Sequence, residues 1–343
     1  MVIVILVNME KTKIAFFEIE EWEEPYLKKQ LSDFEVSFFT ESLSLQNIDL
    51  VKDYQIISIF VNSQIDKKLI SKLSNIKMIV TRSTGFDHID IAECKNKKIM
   101  VSNVPFYGEN TVAEHTFALI LDLSRKIYQS IKRVKGGDFS LNDLMGFDLK
   151  DKKLGVIGMG SIGQHVARIA QGFEMNVLGY DIHQDKKLAK KLGFQYTLLE
   201  DLLKASDIIT LHVPYNEHTH HLINSKNINI IKKGAYLINT ARGGIIETSA
   251  LVDALGKGII AGAGLDVLEE ECYIKEEKEL LSKGFYEKCD LKTMLQNHIL
   301  MDKENVIITP HNAFNSKEAI ERILETTVLN IKSFIKNKTI NII

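Results

Sequence analysis

The 343-residue chain has few of the residues that mark disulfide-rich and zinc-binding proteins. It contains three cysteines, Cys94, Cys272 and Cys289, without a CxxC pair or a Cys/His cluster. A sparse, odd number of cysteines argues against a disulfide framework and against structural zinc. We therefore expect no metal site, and we expect a reducing, cytoplasmic location.

Charge of one sign and long hydrophobic runs are also missing. The formal net charge is −2, and no long basic block occurs, which disfavours nucleic acid and anionic membranes as partners. The N-terminal MVIVILVN is apolar, but it is too short to span a bilayer and lacks the features of a signal peptide. We expect it to form an edge strand or a loose extension, and we expect neither a nucleic acid nor a membrane as partner.

What the chain does have is an alternation of strand and helix patterns. It is 45% hydrophobic and 26% charged, which is typical of a globular protein, and it is long enough for two domains. In the first hundred residues the predicted strands are KIAFF, EVSFF, IISIF and MIVT, and the predicted helices are EPYLKKQL and DKKLISKL. This rhythm predicts a parallel sheet covered by helices. Residues 111–134 then predict one long buried helix.

The same rhythm begins again at Lys153 and predicts a second, doubly wound domain. Its predicted strands are KLGVIG, NVLGYD, DIITLHV, AYLIN, AGAGLDV and NVIITP. Residues 269–305 are charged and helical in pattern, as expected of an insertion before the last strand. The tail, SKEAIERILETTVLNIKSFI, has apolar residues at helical spacing and predicts a packed helix.

The most specific motif is GMGSIG, residues 158–163, between a predicted strand and a predicted helix. In that setting Gly158 allows a tight turn, Gly160 lets a pyrophosphate approach the backbone, and Gly163 lets the helix pack closely on the strand. Ser161 and Ile162 begin the helix, whose N-terminal N–H groups suit phosphate. The motif therefore predicts a dinucleotide site.

The next predicted strand, NVLGYD, ends in Asp181, close to the offset of about 20 residues expected after the glycines. A carboxylate at this position binds the ribose 2′-OH and repels a 2′-phosphate. NAD is therefore favoured over NADP, although Lys186 and Lys187 leave some use of NADP open.

Three predicted strand ends carry reactive side chains. LINTARGG has Arg242, NVIITPHNAF has His311, and GLDVLEEE has Asp266 followed by three glutamates. Taken singly, these are most often a surface charge, a loop histidine and a solvated helix start. Their convergence on one sheet edge beside GMGSIG favours an active site, because open α/β sheets bind ligands there. Spacing alone does not tell the three glutamates apart.

These motifs together resemble a known family, the D-isomer-specific 2-hydroxyacid dehydrogenases. The resemblance covers nearly the whole chain and rests on TRSTGFDHID, VPFYGENTVAEHTFAL, GVIGMGSIG, LINTARGGIIE, GLDV and ITPHNAF. It implies an α/β protein with two doubly wound parallel-sheet domains. A Rossmann-type NAD domain would span 105–308, and a discontinuous flavodoxin-like substrate domain would span 1–104 and 309–343. It also implies a homodimer or higher homo-oligomer, with the long helix after Tyr107 in the interface.

The resemblance implies a catalytic triad of Arg242, Glu271 and His311. In the family the histidine protonates the substrate oxygen, and the glutamate hydrogen-bonds it and favours the imidazolium. Glu271 is selected because it lies five residues beyond the aspartate of GLDV, which leaves Glu269 and Glu270 to solvent.

Further cofactor contacts are implied at the strand ends and at the start of the long helix: Thr111, His212, Val213, Pro214, Thr240 and Asp266. Thr111 resembles a phosphate contact, and Asp266 resembles the residue that holds the nicotinamide carboxamide. The strand end at 212–214 should pass near the nicotinamide.

The substrate loop of the family resembles STG, where Thr84 and Gly85 would offer main-chain N–H groups to a carboxylate. Tyr107 and Phe314 resemble the aromatic residues placed over a small substrate, although packing at a hinge is an alternative role for both. The resemblance thus implies a D-lactate dehydrogenase that reduces pyruvate with NADH. A broader D-2-hydroxyacid dehydrogenase acting on bulkier 2-keto acids, or a non-catalytic NAD-sensing protein, stays open.

Overall fold

The computed structural model describes residues 12–270 and 290–343. The chain divides into two compact units. Unit 1 contains the described residues up to Tyr107 together with Ser316–Ile343, and unit 2 is Gly108–Asn315. The predicted domain limits, 104/105 and 308/309, fall shortly before these two divisions. Within the described ranges, no helix combines the length and apolar character needed to cross a membrane.

Unit 1 is built on a five-stranded parallel sheet in the order β2-β1-β3-β4-β5. Its elements before Tyr107 are β1 (Lys13–Phe16), α1 (Glu24–Gln30), β2 (Glu35–Phe38), β3 (Ile56–Ile59), α2 (Lys67–Ile70), β4 (Met78–Thr81), α3 (Ile91–Asn96) and β5 (Met100–Ser102). This is the flavodoxin-like order, as predicted. The four predicted strands and both predicted helices are confirmed, whereas β5 and α3 were not predicted.

Unit 2 is built on a seven-stranded sheet in the order β12-β11-β10-β9-β6-β7-β8, with every adjacent pair parallel. Its elements are α4 (Glu109–Arg125), α5 (Ile127–Lys135), β6 (Lys153–Ile157), α6 (Ser161–Gly172), β7 (Asn176–Tyr180), α7 (Lys186–Lys191), β8 (Gln195–Tyr196), α8 (Leu199–Ala205), β9 (Ile208–Leu211), β10 (Ala235–Asn239), α9 (Thr248–Gly256), β11 (Ile260–Leu265), α10 (Leu291–Met301) and β12 (Val306–Ile308). The six strands predicted after Lys153 are confirmed.

The strand order of unit 2 reverses between β6 and β9, and this determines where a ligand can bind. From β6 the chain moves to one side through β7 and β8, and it then returns to β9 and continues the other way. The loops at the carboxyl ends of β6 and β9 therefore diverge and leave a crevice. GMGSIG follows β6, and His212 follows β9, so both lie at this point of the sheet.

The prediction of one continuous helix over residues 111–134 is wrong at Lys126. Lys126 has φ of +50°, in the left-handed region, and it separates α4 from α5. Its main-chain N–H donates to the Asp122 carbonyl, while the Asp122 carboxylate accepts the N–H of Tyr128 at 2.7 Å. Asp122 thus closes one helix and holds the start of the next. Apolar periodicity does not reveal such a break, because the same apolar spacing continues across it.

The C-terminal helix α11 (Lys317–Ile335) belongs to unit 1 and confirms the helix predicted for the tail. The Ser316 hydroxyl accepts the N–H of Ala319 and so caps the N-terminus of α11. Leu324, Val328 and Ile331 pack in one core cluster with side chains of β1, α1, β3 and β4. The predicted N-terminal edge strand or extension lies outside the described residues, as do residues 271–289 of the charged segment.

Candidate active site

The glycine loop of unit 2 has the geometry that the motif predicted. Gly158 has φ of +97°, and a side chain there would meet the His212 carbonyl. A methyl group at Gly163 would overlap the Gly158 carbonyl oxygen, so α6 packs directly on the loop. At Gly160 the same methyl group would find, beyond its chain neighbours, no atom of the described residues within 4 Å. Two glycines are thus required by the protein itself, and the third faces open space.

Ser161 and Ile162 form the first turn of α6, where the N–H groups have no acceptor inside the helix. The Asp181 carboxylate lies beside the same loop, because it accepts the N–H of Met159 at 2.7 Å and that of His183 at 2.8 Å. These bonds connect the end of β7 to the loop after β6. They hold the carboxylate at the edge of the crevice.

His212 is buried at the end of β9, against Gly158. Its Nε2 lies 2.9 Å from the Thr210 hydroxyl, and its Nδ1 has no hydrogen-bond partner among the described residues. Burial lowers the pKa of His212 to about 3, so the ring is neutral near neutral pH. Val213 also touches the position of a side chain at Gly158, and Pro214, next in the chain, is exposed.

Thr240 follows β10 and meets the first half of α4. The Thr240 hydroxyl lies 3.0 Å from that of Thr116, which in turn donates to the carbonyl of Val112 at 2.8 Å. Thr111, the residue before Val112 on α4, is buried, with 7% of its surface exposed. The structure therefore brings both predicted threonines to the same part of unit 2.

These features fit a dinucleotide. Apart from its chain neighbours, no described residue fills the space beside Gly160, where the twelve-residue helix α6 begins. Asp181 lies on one side of this loop. The unpartnered Nδ1 of His212 is the kind of buried polar atom that a bound ligand satisfies.

Arg242 lies in a turn after β10 that Asn239 holds together. The Asn239 side chain accepts the N–H of Ala241 at 3.0 Å and donates to the Arg242 carbonyl at 2.9 Å. The next residue, Gly243, packs so closely on another segment that a side chain would overlap the main chain of Leu268. The turn is therefore fixed on both sides, with Arg242 itself half-buried.

Asp266 connects this turn to His311. Its main-chain N–H donates to the Asn239 carbonyl at 2.9 Å, and its own carbonyl accepts the N–H of His311 at 2.9 Å. The strand ends of β10, β11 and β12 are thus joined in sequence, as the three motifs predicted. Arg242 and His311 follow two of these ends.

The buried carboxylate of Asp266 is surrounded by donors. It accepts the Thr309 hydroxyl and the N–H groups of Asn312 and Ala313, at 3.0 and 2.9 Å for the latter two. His115 Nε2 lies 3.5 Å from it and 3.0 Å from the Thr309 hydroxyl. Burial alone would raise the pKa of Asp266, but these interactions, with that of His115 the largest, outweigh burial and lower it.

The expectation that Glu269 faces solvent is wrong. One carboxylate oxygen lies 2.6 Å from His221 Nε2, and the other accepts the hydroxyl and the N–H of Thr248 at 2.7 and 3.2 Å. Spacing along the chain could not reveal this, because both partners come from distant loops. Glu270 is partly exposed and accepts the N–H of Asp290 at 3.1 Å. Glu271, the predicted partner of His311, lies outside the described residues.

In unit 1 the STG loop is held by its own side chains and by Asn103 and Val104, which donate to the carbonyls of Thr84 and Ser83. The Ser83 hydroxyl donates to the Gly85 carbonyl at 2.7 Å, and the Thr84 hydroxyl donates to the Val104 carbonyl at 2.9 Å. The N–H groups of Thr84 and Gly85 have no acceptor in the part of the chain that the structure describes. They form a main-chain donor pair of the kind that suits an anion.

Tyr107 and Phe314 are the other two predicted substrate residues. Tyr107 ends the first segment of unit 1, where its carbonyl accepts the Nε of Arg322 at 2.6 Å. Phe314 follows the buried Ala313 in unit 2 and is half-buried.

Three residues that organise this site had no predicted role: His115, His221 and Asn239. Asn239 is the last residue of β10 and stands directly before the Arg242 turn, so its position at a strand end was a usable signal. His115 and His221 carried no such signal, because their partners are 48 or more residues away in the chain.

Known proteins similar to this chain share this organisation over most of its length. The family described as D-isomer specific 2-hydroxyacid dehydrogenase, NAD binding domain, matches residues 117–313. A 2-hydroxyacid dehydrogenase homolog of Zymomonas mobilis is 33% identical over 327 residues, which cover 93% of this chain and 96% of that protein.

Two solved structures are also similar. D-lactate dehydrogenase from Aquifex aeolicus, complexed with NAD and lactic acid, is 40% identical with a TM-score of 0.84, covering 95% of this chain and 96% of that one. The pyruvate reductase of Chlamydomonas reinhardtii is 34% identical with a TM-score of 0.86, covering 96% and 97%. The chain therefore belongs to the D-isomer specific 2-hydroxyacid dehydrogenase family, NAD-dependent oxidoreductases that act on a CH–OH group.

Proposed function

We propose that this protein is a D-lactate dehydrogenase that reduces pyruvate to D-lactate with NADH. The observation that carries the proposal is the joining of the Arg242 turn, Asp266 and His311 at adjacent strand ends, on the same sheet edge as the glycine loop. Support for a small substrate comes from the two similar structures, one a D-lactate dehydrogenase with lactic acid and the other a pyruvate reductase.

The proposed roles follow from charge and donor geometry. Bound NADH supplies the hydride. The Arg242 guanidinium binds the substrate carboxylate and polarises the ketone, since its planar fork matches a carboxylate. His311 donates a proton to the ketone oxygen as negative charge develops on it. Glu271, by its position in the family motif, would favour the protonated imidazole.

We propose further substrate contacts in both units. In unit 1 the N–H groups of Thr84 and Gly85 would hold the carboxylate, and Tyr107 would limit the size of the substrate. In unit 2, Phe314 would also limit the size of the substrate. The proposed substrate domain consists of residues 1–104 and 309–343, and the proposed NAD domain of residues 105–308. Within the NAD domain, the proposed cofactor contacts are Thr111, Thr240, Asp266 and residues 212–214, which follow β9.

A homodimer in the cytoplasm is also part of the proposal. Helix α5 exposes Ile127, Tyr128, Ile131 and Val134, which are 45–56% accessible. The chain after it exposes Phe139, Leu141 and Met145 at 76%, 83% and 86%. So many large apolar side chains, close together in sequence, support a contact with a second copy.

A substrate panel tests the proposed activity. We expect NADH oxidation with pyruvate to exceed that with 2-ketoisocaproate by about tenfold or more in kcat/KM, since an aromatic wall disfavours added bulk. NADPH should be a poorer cofactor than NADH. A preference for the bulkier acid would indicate a broader 2-hydroxyacid dehydrogenase. Binding of NADH without turnover of any 2-keto acid would indicate an NAD-sensing protein instead.

A further inference from the structure

His221 connects two segments of unit 2 that meet at the Arg242 turn. Its main-chain N–H donates to the Gly244 carbonyl at 2.8 Å, two residues after Arg242. Its Nε2 lies 2.6 Å from the Glu269 carboxylate, and the two side chains are 31% and 18% exposed. His221 thus contacts the Arg242 turn through its main chain and Glu269 through its ring.

Glu269 is held more tightly than a surface carboxylate. Beyond His221, its second carboxylate oxygen accepts both the hydroxyl and the N–H of Thr248 at the start of α9. Its carbonyl accepts the buried side-chain amide of Asn297 on α10 at 2.8 Å. The hydrogen bonds to the Glu269 carboxylate are charge-assisted, and such bonds are stronger than neutral ones and fix geometry. The position of the main chain at Glu269 is therefore determined from three directions.

That main chain lies directly against the arginine turn. A methyl group on Gly243 would overlap the Leu268 carbonyl group and the Glu269 nitrogen. Because main-chain atoms cannot move aside as a flexible side chain can, a shift of Glu269 toward Gly243 must displace Gly243, and a shift away removes the surface on which Gly243 packs. Arg242 is the adjacent residue, and Asn239 holds its other side.

We propose that Glu269 and His221 are positioning residues that set the orientation of Arg242 toward the substrate carboxylate. The inference rests on the proposed function, in which Arg242 binds that carboxylate. Neither residue need touch the substrate. A glutamine at 269 removes the negative charge, and its NH2 group cannot face the Thr248 N–H, which is itself a donor. The NH2 group would face His221 Nε2 instead, which accepts it only in the tautomer that carries the proton on Nδ1.

Steady-state kinetics of Glu269→Gln, with Glu270→Gln as the matched control, test the proposal. For Glu269→Gln we expect the KM for pyruvate to rise about tenfold or more, since small misplacements of a binding group are costly. The decrease in kcat should be smaller, and the Kd for NADH, from fluorescence titration, should stay within about twofold because the glycine loop is untouched. Glu270→Gln should keep its KM. A purely structural role would reduce the folded fraction, which lowers kcat and leaves KM unchanged.

Two further variants guard against a Glu269→Gln protein that does not fold. Thr248→Val removes only the hydroxyl donor, and we expect a rise in KM of about threefold, as one hydrogen bond to a charged group is lost. His221→Gln, combined with Thr248→Val, should raise KM by less than the product of the single effects, because both act through one carboxylate.

The outcomes separate the two proposals. An active wild type whose Glu269→Gln and Thr248→Val variants keep the wild-type KM would overturn this inference alone, as would independent effects of His221→Gln and Thr248→Val. A wild type that reduces no 2-keto acid would overturn the proposed function, and this inference with it.

Discussion

The main-chain N–H of His311 donates to the main-chain carbonyl of Asp266 over 2.9 Å. The Asp266 carboxylate accepts the N–H groups of Asn312 and Ala313, the two residues after His311. His311 has φ of +53°, a left-handed conformation that most residues disfavour. Residues 311–313 lie outside any helix or strand, and Asp266 supplies the acceptors for their main-chain N–H groups. These bonds hold His311 in this conformation. The residue expected to contact the nicotinamide is therefore also the residue that shapes the loop of His311.

Asp266→Asn is expected to disturb this loop. An amide presents one acceptor oxygen and one NH2 group, so at least one of the buried donors around Asp266 loses its partner. We expect a loss of roughly 1–3 kcal/mol in the free energy of unfolding, from urea titration. We also expect kcat to fall, because His311 is displaced. An Asp266→Asn protein with wild-type stability and kcat would show that the loop is held by other contacts.

Two glycine variants should separate folding from cofactor binding. Gly163→Ala places a methyl group on the Gly158 carbonyl, so we expect a loss of roughly 1–3 kcal/mol from overpacking, measured by thermal unfolding. Gly160 has φ of −68° and free space around its Cα, so alanine there should leave stability unchanged. It should weaken NADH binding about tenfold or more, because the pyrophosphate needs that space. Wild-type NADH affinity in Gly160→Ala would place the phosphates elsewhere.

His212 is expected to make the protein sensitive to acid. Below pH 6.5 an unfolded chain protonates this histidine, whereas the folded protein, in which its pKa is about 3, does not. Its contribution to stability is thus present above pH 6.5 and is lost as the pH falls toward 3, by up to about 1.4 kcal/mol per pH unit.

His212→Gln should therefore lose less stability than the wild type when urea unfolding is compared at roughly pH 7 and pH 5. The matched control is His218→Gln, which changes an exposed histidine and should follow the wild type. Equal losses in His212→Gln and the wild type would mean that His212 does not resist protonation.

Much of this fold could be predicted because the signals are local. Parallel strands buried on both faces appear as short apolar runs, and the glycines of residues 158–163 have roles that follow from backbone geometry. Short edge elements such as β8, with two residues, carry too little pattern to detect. The break at Lys126 was missed because Asp122 acts through its side chain and leaves the apolar spacing intact.

The site was predictable only where chemistry followed a strand end. Arg242, Asp266 and His311 were predicted as site residues in this way, and the structure has them at neighbouring strand ends of unit 2. The partners that hold them, such as His115 and His221, reach the site from distant parts of the chain, so no spacing rule connects them. The same limit explains the error at Glu269, which has the same neighbours in sequence as a solvated glutamate but different neighbours in space.

The exposed apolar side chains of α5 and the chain after it should be covered in a homodimer. Ile131→Asp places a charge among them, and burial of an unpaired charge opposes association. We expect the wild type to have twice the mass of the chain by light scattering and the variant to shift toward the monomer. Leu198→Asp, an equally large change at a 70% exposed leucine of unit 2 before α8, is the control and should stay dimeric. If Ile131→Asp also stays dimeric, the α5 surface is not the interface; if the wild type is monomeric, the homodimer proposal fails.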